Sequence, residues 1–321
     1  PAVCGSFLRG REHQLETFQQ HTCYMPYGTS LRMSDLGYHN DAQAGLKVSY
    51  NSLDEYVSSL QHAIRTPYPP YEKLGVKSHG QYQQLNTNIL QIENEFYSSI
   101  RPKRVTQSGE RPTCALADRG GEYIELRCVD LDPFSPLGIT DSQIRFLDVF
   151  ALYCLLEDSP ALTEQEQQCN IENLQSIVTQ GRDPQLRLTS KCTQAPFRQW
   201  AQEHLQKMLQ VAQLFDQAHG HSAHSGVVKA QMQKLAQPEL TPSAQVMTTL
   251  FEQQQPFFEF AMNRAQDTAN YFKNQPLSSA EAAAFTKEAR RSIEAQRRIE
   301  AEDDITFEQY LDNFFAQDAC N

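Results

Sequence analysis

The rhythm of apolar and polar positions changes along this chain. Through Glu164–Thr179, Phe197–Ala218, Gly226–Leu235 and Ser243–Phe272, apolar residues recur every three or four positions, the spacing of helices with one buried stripe. The change falls near Asp158-Ser159-Pro160; before it the sequence mixes Gly, Pro and Tyr with short alternating runs. Two capping boxes mark helix starts, Thr140 with Gln143 and Ser278 with Glu281. The first opens Gln143–Leu156, with Ile144, Leu147, Ala151, Cys154 and Leu155 along one stripe, and the second opens the charged run Ala280–Glu302. The pattern predicts a sheet-bearing region with associated helices over residues 1–160 and a helical region packed on it over 161–321.

Two segments of the first region read as strands, Gln84–Tyr97 and Glu122–Asp130. With a period of two, the second puts Ile124, Leu126 and Cys128 on a core face and Tyr123, Glu125, Arg127 and Val129 on the other. Opposite charges at alternate positions, hemmed by Tyr and Val, fit a solvated sheet face or a same-strand ion pair. The alternative is a cavity in which Glu125 holds a hard cation and Arg127 forks onto a phosphate. Pattern alone leaves both open. The tetrad Arg101-Pro102-Lys103-Arg104 is read as a solvated turn, and the Gln-rich tract Glu252–Gln255 as a helix surface meeting a packed turn.

Charge narrows the field. With 28 Lys and Arg against 39 Asp and Glu, the formal net charge is -11, which argues against nucleic acid as a partner. No apolar run approaches the length of a membrane-spanning helix, so a soluble protein that does not engage the membrane is expected. The 8 cysteines lack C-x-x-C pairs or tight spacing and are expected as reduced thiols, which favours the cytoplasm. The opening Pro1-Ala2-Val3-Cys4 carries neither an initiator Met nor a signal-peptide order and is read as the start of a fragment. His219, His221 and His224 lie in a Gly- and Ser-rich stretch, read as a loop between helices rather than a transition-metal site because no further ligands are visible nearby.

Three long strings then carry a resemblance: Pro26-Tyr27-Gly28-Thr29-Ser30-Leu31-Arg32-Met33-Ser34-Asp35-Leu36-Gly37-Tyr38, Leu90-Gln91-Ile92-Glu93-Asn94-Glu95-Phe96-Tyr97 through Ile100-Arg101-Pro102-Lys103-Arg104, and Glu122-Tyr123-Ile124-Glu125-Leu126-Arg127. In order and spacing they resemble the proteobacterial glutamate–cysteine ligases, and the likeness continues through Pro133-Phe134-Ser135-Pro136-Leu137-Gly138. The resemblance implies an α+β fold in which a curved antiparallel sheet forms a funnel, akin to the glutamine synthetase catalytic core and incomplete here, with helices packed outside. It implies ATP- and Mg²⁺-dependent joining of the glutamate γ-carboxylate to the cysteine amine through a γ-glutamyl phosphate, the first step toward glutathione.

By the same resemblance, Glu125 is a magnesium ligand, Arg127 reaches the transferring phosphate, Arg32 binds glutamate, and Tyr38 and Tyr97 line the cysteine pocket. Further metal ligands of the family lie on an N-terminal segment that this sequence does not contain, so that segment is an expected partner. Two other readings stand beside this one: a non-catalytic helical binding module, and a related carboxylate–amine ligase acting on another amine.

Overall fold

The structure, a computed structural model, describes residues 1–8, 14–19, 21–37, 39–190 and 193–317. Contacts divide the chain into two compact units, each assembled from two separate stretches: Pro1–His39 with Cys128–Ala269, and Asn40–Arg127 with Asn270–Asn321.

In the first unit, Thr22–Tyr24 is the middle strand of a three-stranded antiparallel sheet, between Ala2–Cys4 and Glu16–Phe18, with Cys23 opposite both Val3 and Thr17. The rest is mainly helical: Asp141–Leu156, Glu164–Gln180, Phe197–His219, Ala223–Ala236 and Pro242–Gln253. Leu205, Met208, Val211 and Ala212 recur at three- and four-residue spacing along one helix, and they pack with Val149, Tyr153 and Val228 from two others. A separate cluster joins Ala2 of the sheet to Val246, Met247, Leu250 and Phe260. The expected run Ser243–Phe272 is two helices, Pro242–Gln253 and Phe257–Lys273. Gln254 caps the first in a left-handed conformation, φ 50°, and Pro256 follows in the break that was read as a packed turn.

The second unit is built on Leu53–Ala63, where Tyr56, Val57, Leu60 and Ala63 form a stripe against Leu90, Phe96 and Leu116. Two antiparallel ladders accompany it, Lys77–Ser78 with Gln81–Tyr82 and Ile100–Lys103 with Tyr123–Leu126. Ser279–Glu302 opens with the expected capping box and buries none of its residues, in keeping with its interspersed charges. No helix among the described residues is long and apolar enough to cross a membrane.

The chain is therefore α+β, with its antiparallel pairing divided among small sheets. Gln84–Tyr97 is not a strand: it is an irregular segment ending in the single 3₁₀ turn Glu93–Glu95. Its polar side chains satisfy backbone groups that a ladder would otherwise hold. Gln91 accepts the Leu85 N–H at 2.6 Å, Asn86 donates to the Gln91 carbonyl at 3.0 Å, and Glu95 accepts the Gln91 N–H at 2.8 Å. Cys4, Cys23, Cys128, Cys154 and Cys169 are free thiols, as expected, but Cys114 is disulfide-bonded. Pairing depends on proximity in the fold, which cysteine spacing does not reveal.

Candidate active site

The strand Tyr123–Leu126 runs antiparallel to Ile100–Lys103, with Glu125 directly opposite Arg101. Arg127 follows immediately, and its N–H donates to the Ser99 carbonyl at 2.8 Å, extending the pairing by one residue. On this face Arg127 Nη1 donates to Glu125 Oε1 at 3.0 Å, so the two charges form the same-strand pair that the spacing allowed. Neither side chain is given over to solvent or fully sealed; they are 24% and 36% exposed for Arg127 and Glu125. Glu125 Oε2 is buried and makes no hydrogen bond among the described residues. A buried carboxylate oxygen with nothing to accept from is costly unless a cation or donor occupies the space beside it.

The opposite strand supplies a group that sequence reading missed. Arg101 is 5% exposed, and its Nη2 donates to the carbonyl of Asn94, at 3.1 Å, and to that of Phe96. The tetrad read as a solvated turn is thus largely a strand, with Arg101 buried as a clamp on the segment before Tyr97. The available signal was its neighbour Pro102, which suits an edge strand as well as a turn. Tyr56 and Tyr50 stand near these charges. Burial, together with Tyr50 and Glu125, holds the Tyr56 hydroxyl far above the usual phenol range, while Arg101 pulls the other way. Burial likewise raises Tyr50, against the pull of Ser98 and Arg101.

Tyr97 belongs to the same unit and is partly exposed. Gln43 fixes its backbone by accepting the Tyr97 N–H at 2.8 Å and donating to the Glu95 carbonyl at 2.8 Å. The apolar face expected opposite Glu125 and Arg127 is not core, since Ile124 is 53% exposed and Cys128 is also exposed. A two-stranded ladder has no packed layer to cover that face, and the outer edge of Tyr123–Leu126 has no strand partner among the described residues.

Arg32 lies in the other unit, on a loop gathered around one carboxylate. Asp130 Oδ2 accepts the N–H groups of Leu31 and Arg32 at 2.8 and 3.1 Å, and Asp130 Oδ1 accepts the Ser30 hydroxyl. Ser30 Oγ in turn accepts the Met33 N–H at 3.0 Å. Gly37 closes the loop so tightly that a Cβ there would collide with the carbonyl oxygens of Leu31 and Arg32. The preceding residues are tied to the end of the helix Glu164–Gln180. Thr29 donates to the Ile177 carbonyl at 2.6 Å, and Arg182 donates to the carbonyls of Gly28, at 3.2 Å, and Pro26. Tyr38 lies outside the described residues. The structure therefore joins Glu125 to Arg127 directly, adds Arg101 across the ladder, and holds the Arg32 loop by Asp130.

A carboxylate and a guanidinium side by side on one strand, with an unsatisfied carboxylate oxygen, is a polar centre of the kind that binds cations and phosphate. The chain belongs to the glutamate–cysteine ligase family, whose model matches residues 1–177. It is 48% identical to the glutamate–cysteine ligase of Pseudomonas paraeruginosa over 97% of this chain and 59% of that protein. The Alcanivorax borkumensis enzyme is likewise 48% identical, over 98% and 61%. The chain thus spans about three-fifths of the length of these curated relatives. Among solved structures, the glutamate–cysteine ligase of Francisella tularensis in complex with AMP superposes with a TM-score of 0.92 at 31% identity, covering 100% of this chain and 64% of that one.

Proposed function

We propose that the protein to which this chain belongs joins the γ-carboxylate of glutamate to the amine of cysteine at the expense of ATP, with Mg²⁺, as the first step toward glutathione. Family membership supports the reading, as does the AMP carried by the Francisella tularensis structure. The observation that bears most weight is Glu125 beside Arg127, with one Glu125 oxygen buried and unsatisfied. That oxygen suits a hard cation, which prefers carboxylate ligands. When bound, Mg²⁺ would neutralise charge on the nucleotide phosphates.

In this reading Arg127 holds the phosphoryl group in transit and then the acyl phosphate, its planar fork matching phosphate oxygens. Arg32 binds a carboxylate of glutamate, and its backbone is fixed for that purpose by Asp130. Tyr97 and Tyr38 form part of the cysteine pocket. Glu125 cannot by itself hold a nucleotide-bound cation, so further carboxylates come from the portion of the relatives' length that this chain does not span. The open edge of Tyr123–Leu126 supports a strand from that portion pairing there.

The test uses the complete protein. Arg127→Lys keeps the charge but loses the fork, and ADP release in the presence of glutamate and cysteine is expected to fall on the order of 10²-fold or more, with the fold intact by circular dichroism. Glu125→Gln is expected to move half-maximal activity to higher Mg²⁺. Unchanged turnover in the first variant, or an unchanged magnesium titration in the second, would reject the role assigned to that residue.

A further inference from the structure

A second cluster of ionisable groups lies where the helix Phe197–His219 turns into Ala223–Ala236. Asp216, His221 and His224 each offer a ligand atom, and these atoms all lie within 4.8 Å of one another. Asp216 Oδ1 is 3.3 Å from His221 Nδ1 and 3.3 Å from His224 Nδ1. The sequence showed three imidazoles in a Gly- and Ser-rich stretch but hid the carboxylate, which is supplied from within the preceding helix.

Part of this arrangement is a helix cap. Asp216 accepts the backbone N–H groups of His224 and Ser225, both at 2.9 Å, at the start of the second helix. The cap accounts for the carboxylate, and His221 Nδ1 is hydrogen-bonded to Asp216 Oδ1 at 3.3 Å, but neither accounts for His224. His224 is 6% exposed, and its Nδ1 faces Asp216 without hydrogen-bond geometry, so among the described residues a buried ring nitrogen is left unsatisfied. Such a group carries a desolvation penalty that a bound ion would remove. His221, more exposed, lines a surface hollow of about 660 Å³ together with Asp216 and Gly220.

We propose that Asp216, His221 and His224 bind a divalent transition cation of the zinc class, clasping the end of one helix to the start of the next. Donor atoms around a tetrahedral Zn²⁺ stand roughly 3.3 Å apart, given ligand distances near 2.0–2.1 Å. Both Asp216–imidazole separations match that value. Two imidazoles and one carboxylate favour zinc, copper, nickel or iron over magnesium or calcium. His219 adjoins the site, its ring stacked on His221 at 5.7 Å. Its Nδ1 donates to the Phe215 carbonyl at 2.9 Å, which leaves Nε2 as the acceptor. With three protein ligands a fourth position would be open to water, unlike a closed four-ligand structural site. The site shares no residue with Glu125 and Arg127, so its test is independent of the ligase reading.

The experiment is calorimetric titration of the metal-stripped protein with ZnCl₂, repeated on His221→Gln and His224→Gln, with thermal unfolding followed in parallel. One saturable Zn²⁺ per chain and a thermal midpoint that climbs with zinc concentration are expected for the native protein. His221→Gln, at the more exposed position, should fold normally and bind at least about tenfold more weakly. Absence of saturable binding, or equal affinity in native protein and His221→Gln, would overturn the proposal. Co²⁺ substitution gives a separate readout: nitrogen and oxygen ligation supports the assignment, whereas a thiolate-to-cobalt charge-transfer band would place the ion on a cysteine and refute it.

Discussion

Glu93 and Arg111 form an ion pair in which both side chains are only 3% exposed, with Nη2 2.8 Å from Oε1. Arg111 Nε donates to the same oxygen at 2.9 Å, and the fully buried Thr113 adds its hydroxyl at 2.7 Å. The pair ties the 3₁₀ turn Glu93–Glu95, which ends just before Phe96 and Tyr97, to the start of the helix Pro112–Arg119. Two charges taken out of water contribute little net stability when paired but leave a costly orphan when one is deleted. Arg111→Met is therefore expected to destabilise the protein by about 3–5 kcal/mol. The double change Glu93→Leu with Arg111→Met should cost less than Arg111→Met alone. Urea unfolding of the three proteins checks this, and a double variant no more stable than the single one would contradict it.

A second prediction concerns acid. Arg119 grips Glu110 with two parallel hydrogen bonds of 2.8 Å, from Nη1 to Oε1 and from Nη2 to Oε2. The Arg119 guanidinium, aided by the Gln107 N–H, lowers the Glu110 carboxyl from 4.5 to about 2. A carboxyl depressed in the folded state stabilises it fully above the unfolded value and loses that contribution as pH falls through the folded one. The stability supplied here should therefore persist above pH 4.5 and decline from there toward pH 2. Arg119→Gln is expected to lower the urea midpoint at neutral pH and to flatten its dependence on pH across that window. Parallel curves for the two proteins over that range would refute the assignment.

How much of this was legible in the sequence follows from the physics of each element. Helix starts were plain because capping is local: Thr140 with Gln143 and Ser278 with Glu281 make the expected reciprocal bonds, and Phe197–His219 begins where its apolar period begins. The pairing of Glu125 with Arg127 was legible as one of two readings, since residues two apart on a strand share a face. What the sequence could not convey was partnership. Alternation in Gln84–Tyr97 resembled a strand, yet its Asn and Gln side chains bond to backbone instead. Ile124 looked like core, yet no described layer covers it. Arg101 was buried by a register, and Asp216 reached its histidines by the turn between two helices; neither relation is local.

The last prediction tests how the Arg32 loop is held. Asp130 accepts three hydrogen bonds, from the Ser30 hydroxyl and from the N–H groups of Leu31 and Arg32. Its removal leaves two half-buried amides without their acceptor, a loss on the order of 1–3 kcal/mol. Asp130→Asn keeps the shape and one carbonyl oxygen but cannot serve both oxygens' partners, so it should cost less than Asp130→Ala. In the complete protein, if Arg32 binds glutamate, a loosened loop should raise the glutamate KM more than it lowers kcat, because the guanidinium remains but is no longer preorganised. Measured steady-state kinetics with glutamate varied would show that split. An unchanged glutamate KM in Asp130→Ala, with the loss confined to stability, would mean that Asp130 serves the fold alone and that Arg32 is positioned by other contacts.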